Sequence, residues 1–446
     1  MSASRCWKPL LRALARVAAA ACALGLSATA ASALPSFARE TQQACSACHV
    51  GAFGPQLKQT ARDFKLFGYT NGVGKQELKQ ISLIWQASAT HTSADQTPSP
   101  APRFRANDNL ALDEASLFYA GKLVGGAGAF IEFNYDGIER HVAIGDLDVR
   151  RAHDFDLGRH DLVAGIDLNN SPGVEDLWNT TPVWRFPYNG SALAPSPAAA
   201  PLMEGGLEGK LLGAGAYGML DDTLYAYGGL YNQPSRNVLS WLGSSSEPGD
   251  DEVAGATPYW RLALQHNFND QHYLMVGAYG LHARIRPGGL VATAATDRYD
   301  DVAVDATYQF TASKTHYVSA HATWVTEHAT LDASHALTGA AQRLKLSTAR
   351  ADLSYSYRDT LTPTVQAFRT WGDPDPVRYA NGSPNSSGWV AELAFTPFGR
   401  EATDKPTGNL RFSVQYVAYR EFDGLRRNAS ANNTLYFNVW AALAPF

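Results

Sequence analysis

The chain has 446 residues, 45% of them hydrophobic and 18% charged, with a formal net charge of −5. This length allows several soluble domains or one large barrel, and the acidic balance makes nucleic acid a poor partner. Glycine (38), tyrosine (20) and tryptophan (10) are plentiful against four methionines and four cysteines, a mix that favours strands and turns over helices.

Residues 1–33 read as an export signal. Arg5, Lys8, Arg12 and Arg16 form a positive n-region, an apolar run from Val17 to Leu26 follows, and Ala31-Ser32-Ala33 is a small-residue cleavage site. A membrane-anchoring helix is the alternative, but the run is short for one. Cys22 has a poor lead-in for lipid attachment. Cleavage removes Cys6 and Cys22 and takes the net charge from −5 to −9.

Two cysteines then remain, in Cys45-Ser46-Ala47-Cys48-His49. The pattern C-x-x-C-H attaches c-type haem. Two thiols add to the two haem vinyl groups, and the next residue offers an imidazole to the iron. We therefore expect one covalent haem c on Cys45 and Cys48, with His49 as the axial iron ligand. A thioredoxin-like pair would need a βαβ setting that is not visible. A Cys45–Cys48 disulfide would close a tiny loop and stabilise little. Zinc would want a fourth ligand beside Cys45, Cys48 and His49.

Leu57, Ala61, Phe64 and Phe67 then fall on one face at helical spacing, and Gly68 is a natural stop. This helix would cover one haem face. The cytochrome segment, 34–75, is too short to bury a haem alone. It must borrow cover, and its sixth ligand, from elsewhere. Met203 and His321 are the weak candidates for that ligand.

From residue 80 to 446 no apolar run is long enough for a membrane helix. Segments of about ten residues alternate instead, as membrane barrel strands do. Val302, Val304, Ala306, Tyr308 and Phe310 oppose Asp301, Asp305, Thr307 and Gln309. Leu353, Tyr355 and Tyr357 oppose Asp352, Ser354 and Ser356, and Leu410, Phe412 and Val414 oppose Arg411, Ser413 and Gln415. A charged inner face suits a water-filled lumen. The pattern predicts an all-β fold, a transmembrane outer-membrane barrel of about sixteen antiparallel strands. The spans are 81–90, 113–122, 127–136, 142–152, 161–169, 207–218, 221–231, 257–268, 272–284, 299–310, 315–327, 346–358, 362–371, 387–397, 408–420 and 433–446. Tight turns at 219–222, 269–271, 312–314 and 358–360 mostly alternate with long polar stretches, as periplasmic turns and outer loops do. The terminal Phe446 suits a last barrel strand.

The irregular stretch 170–206 carries Trp178, Trp184, Phe186 and Tyr188. It folds into the lumen or caps the outside, since loops this long are usually functional or disordered. Carboxylates cluster at Glu247, Asp250, Asp251 and Glu252, at Asp297, Asp300 and Asp301, and at Asp373 and Asp375. They could attract ferrous iron or other cations, although charge runs are ordinarily solvated.

The stretch from Leu34 to Thr41, the motif Cys45 to His49, Phe64-Lys65-Leu66 and Gly68-Tyr69-Thr70 resemble the fused monohaem cytochrome c–porins of bacterial outer membranes. The resemblance implies an electron carrier of the outer membrane. It would take electrons from an extracellular donor, ferrous iron foremost, and pass them to periplasmic cytochromes or other carriers. Two alternatives stay open. One is a passive porin whose haem segment is structural or sensory. The other is a haem peroxidase, which needs an open sixth position and a catalytic distal His or Arg.

Overall fold

The computed structural model describes residues 34–72, 80–244, 250–289, 295–399 and 408–444. The expected export signal, Glu247 and Phe446 lie outside them. Seventeen antiparallel strands follow one another around a single sheet: β1 (Ile81–Thr92), β2 (Asn109–Lys122), β3 (Gly128–Asp136), β4 (His141–Asp156), β5 (Asp161–Asn169), β6 (Leu212–Leu220), β7 (Leu224–Asn232), β8 (Glu252–Val253), β9 (Thr257–Asn267), β10 (His272–Arg286), β11 (Asp297–Ser313), β12 (His316–Leu331), β13 (Arg343–Tyr357), β14 (Leu361–Gly372), β15 (Ser386–Phe395), β16 (Gly408–Glu421) and β17 (Thr434–Leu443). β8 is a two-residue addition at the outer end of β10, and β7 pairs directly with β9. The other sixteen make the barrel. It closes where β1 pairs with β17, from Leu83 opposite Leu443 to Thr92 opposite Thr434. Closure leaves no open edge, which a bilayer requires.

All sixteen expected strands are present. One begins late: the strand predicted from 207 starts at Leu212. Leu207 and Leu211 are buried in the lumen core, and Lys210 N donates to Leu207 O in a turn. Their apolar spacing serves loop packing and mimics strand alternation. Turns of two to five residues join β2 to β3, β4 to β5, β6 to β7, β9 to β10, β11 to β12 and β13 to β14 at one end. Most long loops lie at the other.

The barrel is inside-out relative to a soluble protein. Leu168, Leu262, Val276, Val302, Val304, Leu353, Val365 and Val414 are each roughly half exposed, while Asp301, Asp305, Thr307, Gln309, Ser354 and Gln415 are buried. Outward aromatics and histidines gather near the short-turn rim: His153 against Phe155, His266 against Phe268, and His272 against Phe310. Trp260, Trp371 and Trp389 lie nearer the loop end of their strands. An apolar belt between two aromatic girdles is the construction of a bacterial outer-membrane barrel. The protein lies in that membrane, in contact with its lipid.

The sequence left open whether the lumen is open or plugged, and in the structure protein occupies much of it. The polar inner face is buried because protein fills the space. Helix α1 (Pro35–Thr41) docks on the wall at the short-turn end. Ser36 N donates to Ser82 Oγ (3.0 Å), Arg39 to Ile81 O (2.9 Å), and Lys122 N to Glu40 (3.2 Å). After the short turn α2 (Cys45–Cys48) comes α3 (Gln59–Leu66), the predicted helix. It buries Arg62 and Lys65 as well as Ala61 and Phe64, since its polar face meets a polar wall. Arg62 donates to Gln309 on β11 (2.9 Å) and to Leu57 O (3.0 Å). Gly128 on β3 allows the closest approach: a Cβ there would stand 2.1 Å from Gly68 O.

The stretch 170–206 enters from the opposite end and meets this plug. Lys65 Nζ donates to Val174 O (2.8 Å), Asp176 O (2.6 Å) and Asn179 Oδ1 (3.0 Å), and Asn179 donates to Pro55 O (2.9 Å). Asp176 and Asp305 both pair with Arg261 of β9, at 3.2 and 2.7 Å, and all three side chains are fully buried. Of the two placements the sequence left open, the lumen is the one observed.

Candidate functional site

One helical turn places Cys45 and Cys48 on the same face, three residues apart. The turn ends because His49 adopts extended angles (φ −116°, ψ 141°), with its N–H closing onto Cys45 O. A bridge between His49 and Leu57 folds the following residues back, and Lys58 N donates to Cys48 O (2.8 Å). Gly51 makes the reversal at φ +69°, where a Cβ would press on Thr362 at 2.6 Å. Lys58 Nζ pins the loop to the barrel through Ser46 O (2.7 Å) and Asp359 (3.1 Å).

The three motif residues share one cavity of about 1420 Å³ between the plug, the wall and the inserted loop. Phe37, Phe53, Phe64, Phe118, Phe130, Trp184 and Trp440 line it together with Leu34, Leu57 and Ile84. Phe37 stacks on Tyr69 at 5.3 Å between ring centroids, and Phe53 meets Trp440 edge-on at 5.0 Å. His49 Nδ1 lies 2.5 Å from Gly54 O. As donor to that carbonyl it leaves Nε2 as the lone-pair nitrogen, and such bonds orient ligating histidines. Burial pushes the His49 pKa down to about 4, so the ring is neutral and able to ligate. Burial, reinforced by Cys45, pushes the Cys48 thiol up to about 12. A redox or nucleophilic pair works through a lowered thiol pKa, so this site is unlike one.

The donor set fits a covalent haem. A CxxCH turn faces a large, mostly apolar cavity with an aromatic cluster on its wall. Two buried polar atoms on its walls, Tyr188 Oη and Trp440 Nε1, have no hydrogen-bond partner. Haem propionates are acceptors that such donors satisfy.

Met203 and His321 do not reach this cavity. Met203 packs against the tyrosine-rich cluster of the outer lumen, its N–H held by Asp301 (2.8 Å). His321 pairs with Asp352 on the next strand (2.9 Å). Neither is placed to be the sixth ligand. The acidic clusters are also dispersed. Asp297 caps a short outer helix through the N–H groups of Ala333 and Ser334, and Asp375 accepts from Ala341, Val377 and Arg378. Asp300 pairs with His282 and Glu252 with Arg286. Among the described residues no group of three or more His, Cys, Asp or Glu side chains is arranged to hold a metal ion.

Sequence reading missed the aromatic lining from the barrel. Phe118 and Phe130 occupy the inward, normally polar phase of β2 and β3, while Leu117 and Phe133 point out. Bulky aromatics on the lumen phase were the available signal.

No protein-family model matches the chain, and no curated protein does. Its structure is similar to those of several solved outer-membrane proteins. The anion-selective porin from Comamonas acidovorans is 11% identical, with 81% of this chain and 98% of that one covered and a TM-score of 0.45. OprB of Pseudomonas putida is 12% identical, covering 81% and 93%, with a TM-score of 0.48. The channel DcaP of Acinetobacter baumannii is 11% identical, covering 81% and 96%, with a TM-score of 0.43.

Proposed function

We propose that this protein is an outer-membrane c-type cytochrome. In this reading, Cys45 and Cys48 hold one haem covalently, His49 ligates its iron, and electrons pass from an extracellular donor to periplasmic carriers. Bound there, the haem supplies one-electron chemistry that barrel side chains lack. The supporting observation is the location of the motif. The C-x-x-C-H turn lines an aromatic cavity inside a membrane barrel, at the end where the short turns face the periplasm. Lys58, Arg62 and Lys65 fasten the segment to the wall and the inserted loop. Phe37, Phe64 and Tyr69 pack ring against ring on one side of the cavity.

Ferrous iron is the first donor to test. Purified protein should show covalent haem on a denaturing gel, and its ferric form should be reduced by ferrous iron at acidic or neutral pH. Haem that stays ferric at both would sink the iron reading. Absence of covalent haem from protein matured in a c-type-competent host would sink the cytochrome reading itself.

A passive porin is the second reading, favoured by the barrel architecture and by a further cavity of about 1480 Å³ in the outer half of the lumen. It requires a large single-channel conductance in planar bilayers. The peroxidase reading has less support: among the described residues, the cavity wall carries no arginine and no histidine except His49.

A further inference from the structure

The sequence contains 12 histidines and four methionines. All of them except Met1 lie among the described residues, and only His49 lines the haem-sized cavity. Met203, Met219 and Met275 belong with the tyrosine cluster, and His321 is taken by Asp352. The remaining lysine on the wall, Lys65, spends its ammonium on Val174 O, Asp176 O and Asn179. Among the described residues, no lysine, imidazole or thioether is therefore placed to take the second axial position.

The cavity is not sealed on the outer side. It shares Glu114, Glu132, Asp146 and Tyr188 with the outer cavity, whose far end is lined by the exposed Glu139 and His141 at the β3–β4 hairpin. Three of the four shared residues are carboxylic acids, and Tyr188 contributes a buried hydroxyl without a partner.

We propose that the iron face opposite His49 is an exogenous-ligand site, reached from the outer mouth past Glu114, Glu132 and Asp146, which takes small neutral ligands such as water, imidazole or carbon monoxide. The proposal rests on the haem reading above.

The test uses the haem-loaded, full-length protein in detergent. The ferric form should have the high-spin spectrum of a water-ligated iron and convert to low spin with added imidazole. The ferrous form should bind carbon monoxide. A low-spin spectrum without added ligand, together with no carbon monoxide binding, overturns the proposal. Loss of that low-spin state in M203L or H321Q would identify the protein ligand responsible. These outcomes need haem to be present, so they are distinct from a chain that carries none. The wild-type spectrum stands even if both variants misfold.

Discussion

Replacing Arg261 by glutamine removes the cation that holds the inserted loop against the wall. Arg261 lies 2.7 Å from Asp305 and 3.2 Å from Asp176, with no solvent exposure on any of the three side chains. Breaking a buried ion pair by deleting one partner costs about 3–5 kcal/mol, because the remaining charge is stranded. The two acids do not share that cost equally. Asp176 keeps the N–H groups of Trp178, Thr180 and Thr181, whereas Asp305 keeps only the Thr180 hydroxyl. Most of the penalty therefore falls on Asp305, and undocking the loop relieves it. At about 1.4 kcal/mol per decade the docked-to-undocked ratio falls by two to three orders of magnitude. R261Q should show larger single-channel conductance and faster proteolysis within 170–211. R261L/D305L, which removes both charges, should return close to wild type on both measures. Equal conductance and equal protease protection in R261Q and wild type would refute the reasoning, as would a double variant as open as the single one.

Glu175 gives the same loop a pH dependence. It is fully buried with both carboxylate oxygens unpartnered, and burial, then Asp176, pushes its pKa from 4.5 up to about 8. A raised pKa favours the protonated, docked form. Docking should be strongest below about 4.5 and weaken as pH rises through 8, by up to about tenfold per unit. Protease cutting within 170–211 checks this, and E175Q should abolish the slope. Gly128→Val forces a side chain into the Gly68 carbonyl and should cost about 1–3 kcal/mol of plug docking. The readout is protease protection of the plug and conductance of the folded barrel. Cys48→Ala should leave a heat-modifiable folded barrel but remove half of the covalent attachment, shifting the pyridine haemochrome band toward that of a single thioether.

The strands were legible because membrane strands encode their two environments residue by residue. Val302 and Val304 face lipid, Asp301 and Asp305 face the lumen, and alternation alone separates them. What occupies the lumen was not legible. Asp305 reads as a residue for a water-filled channel, yet its partners are Arg261 and Thr180, the latter far away in sequence in an irregular loop. Polar alternation is the same whether the inner face meets water or a polar plug. The motif Cys45–His49 was readable because its spacing is local. The cavity walls were not, since Phe118, Phe130 and Trp440 meet only when the barrel closes. Leu207 and Leu211 misled in the opposite way, with strand-like spacing spent on packing a loop.

The seam between β1 and β17 constrains the order of assembly. Helix α1 is hydrogen-bonded to Ser82 and Ile81 at the start of β1, so the plug is tethered to one lip of that seam. Once Leu83 has zipped to Leu443, Cys45 is buried and Cys48 half-buried inside the closed barrel. Joining a haem to the segment before the last strand finds the first would meet no wall at all.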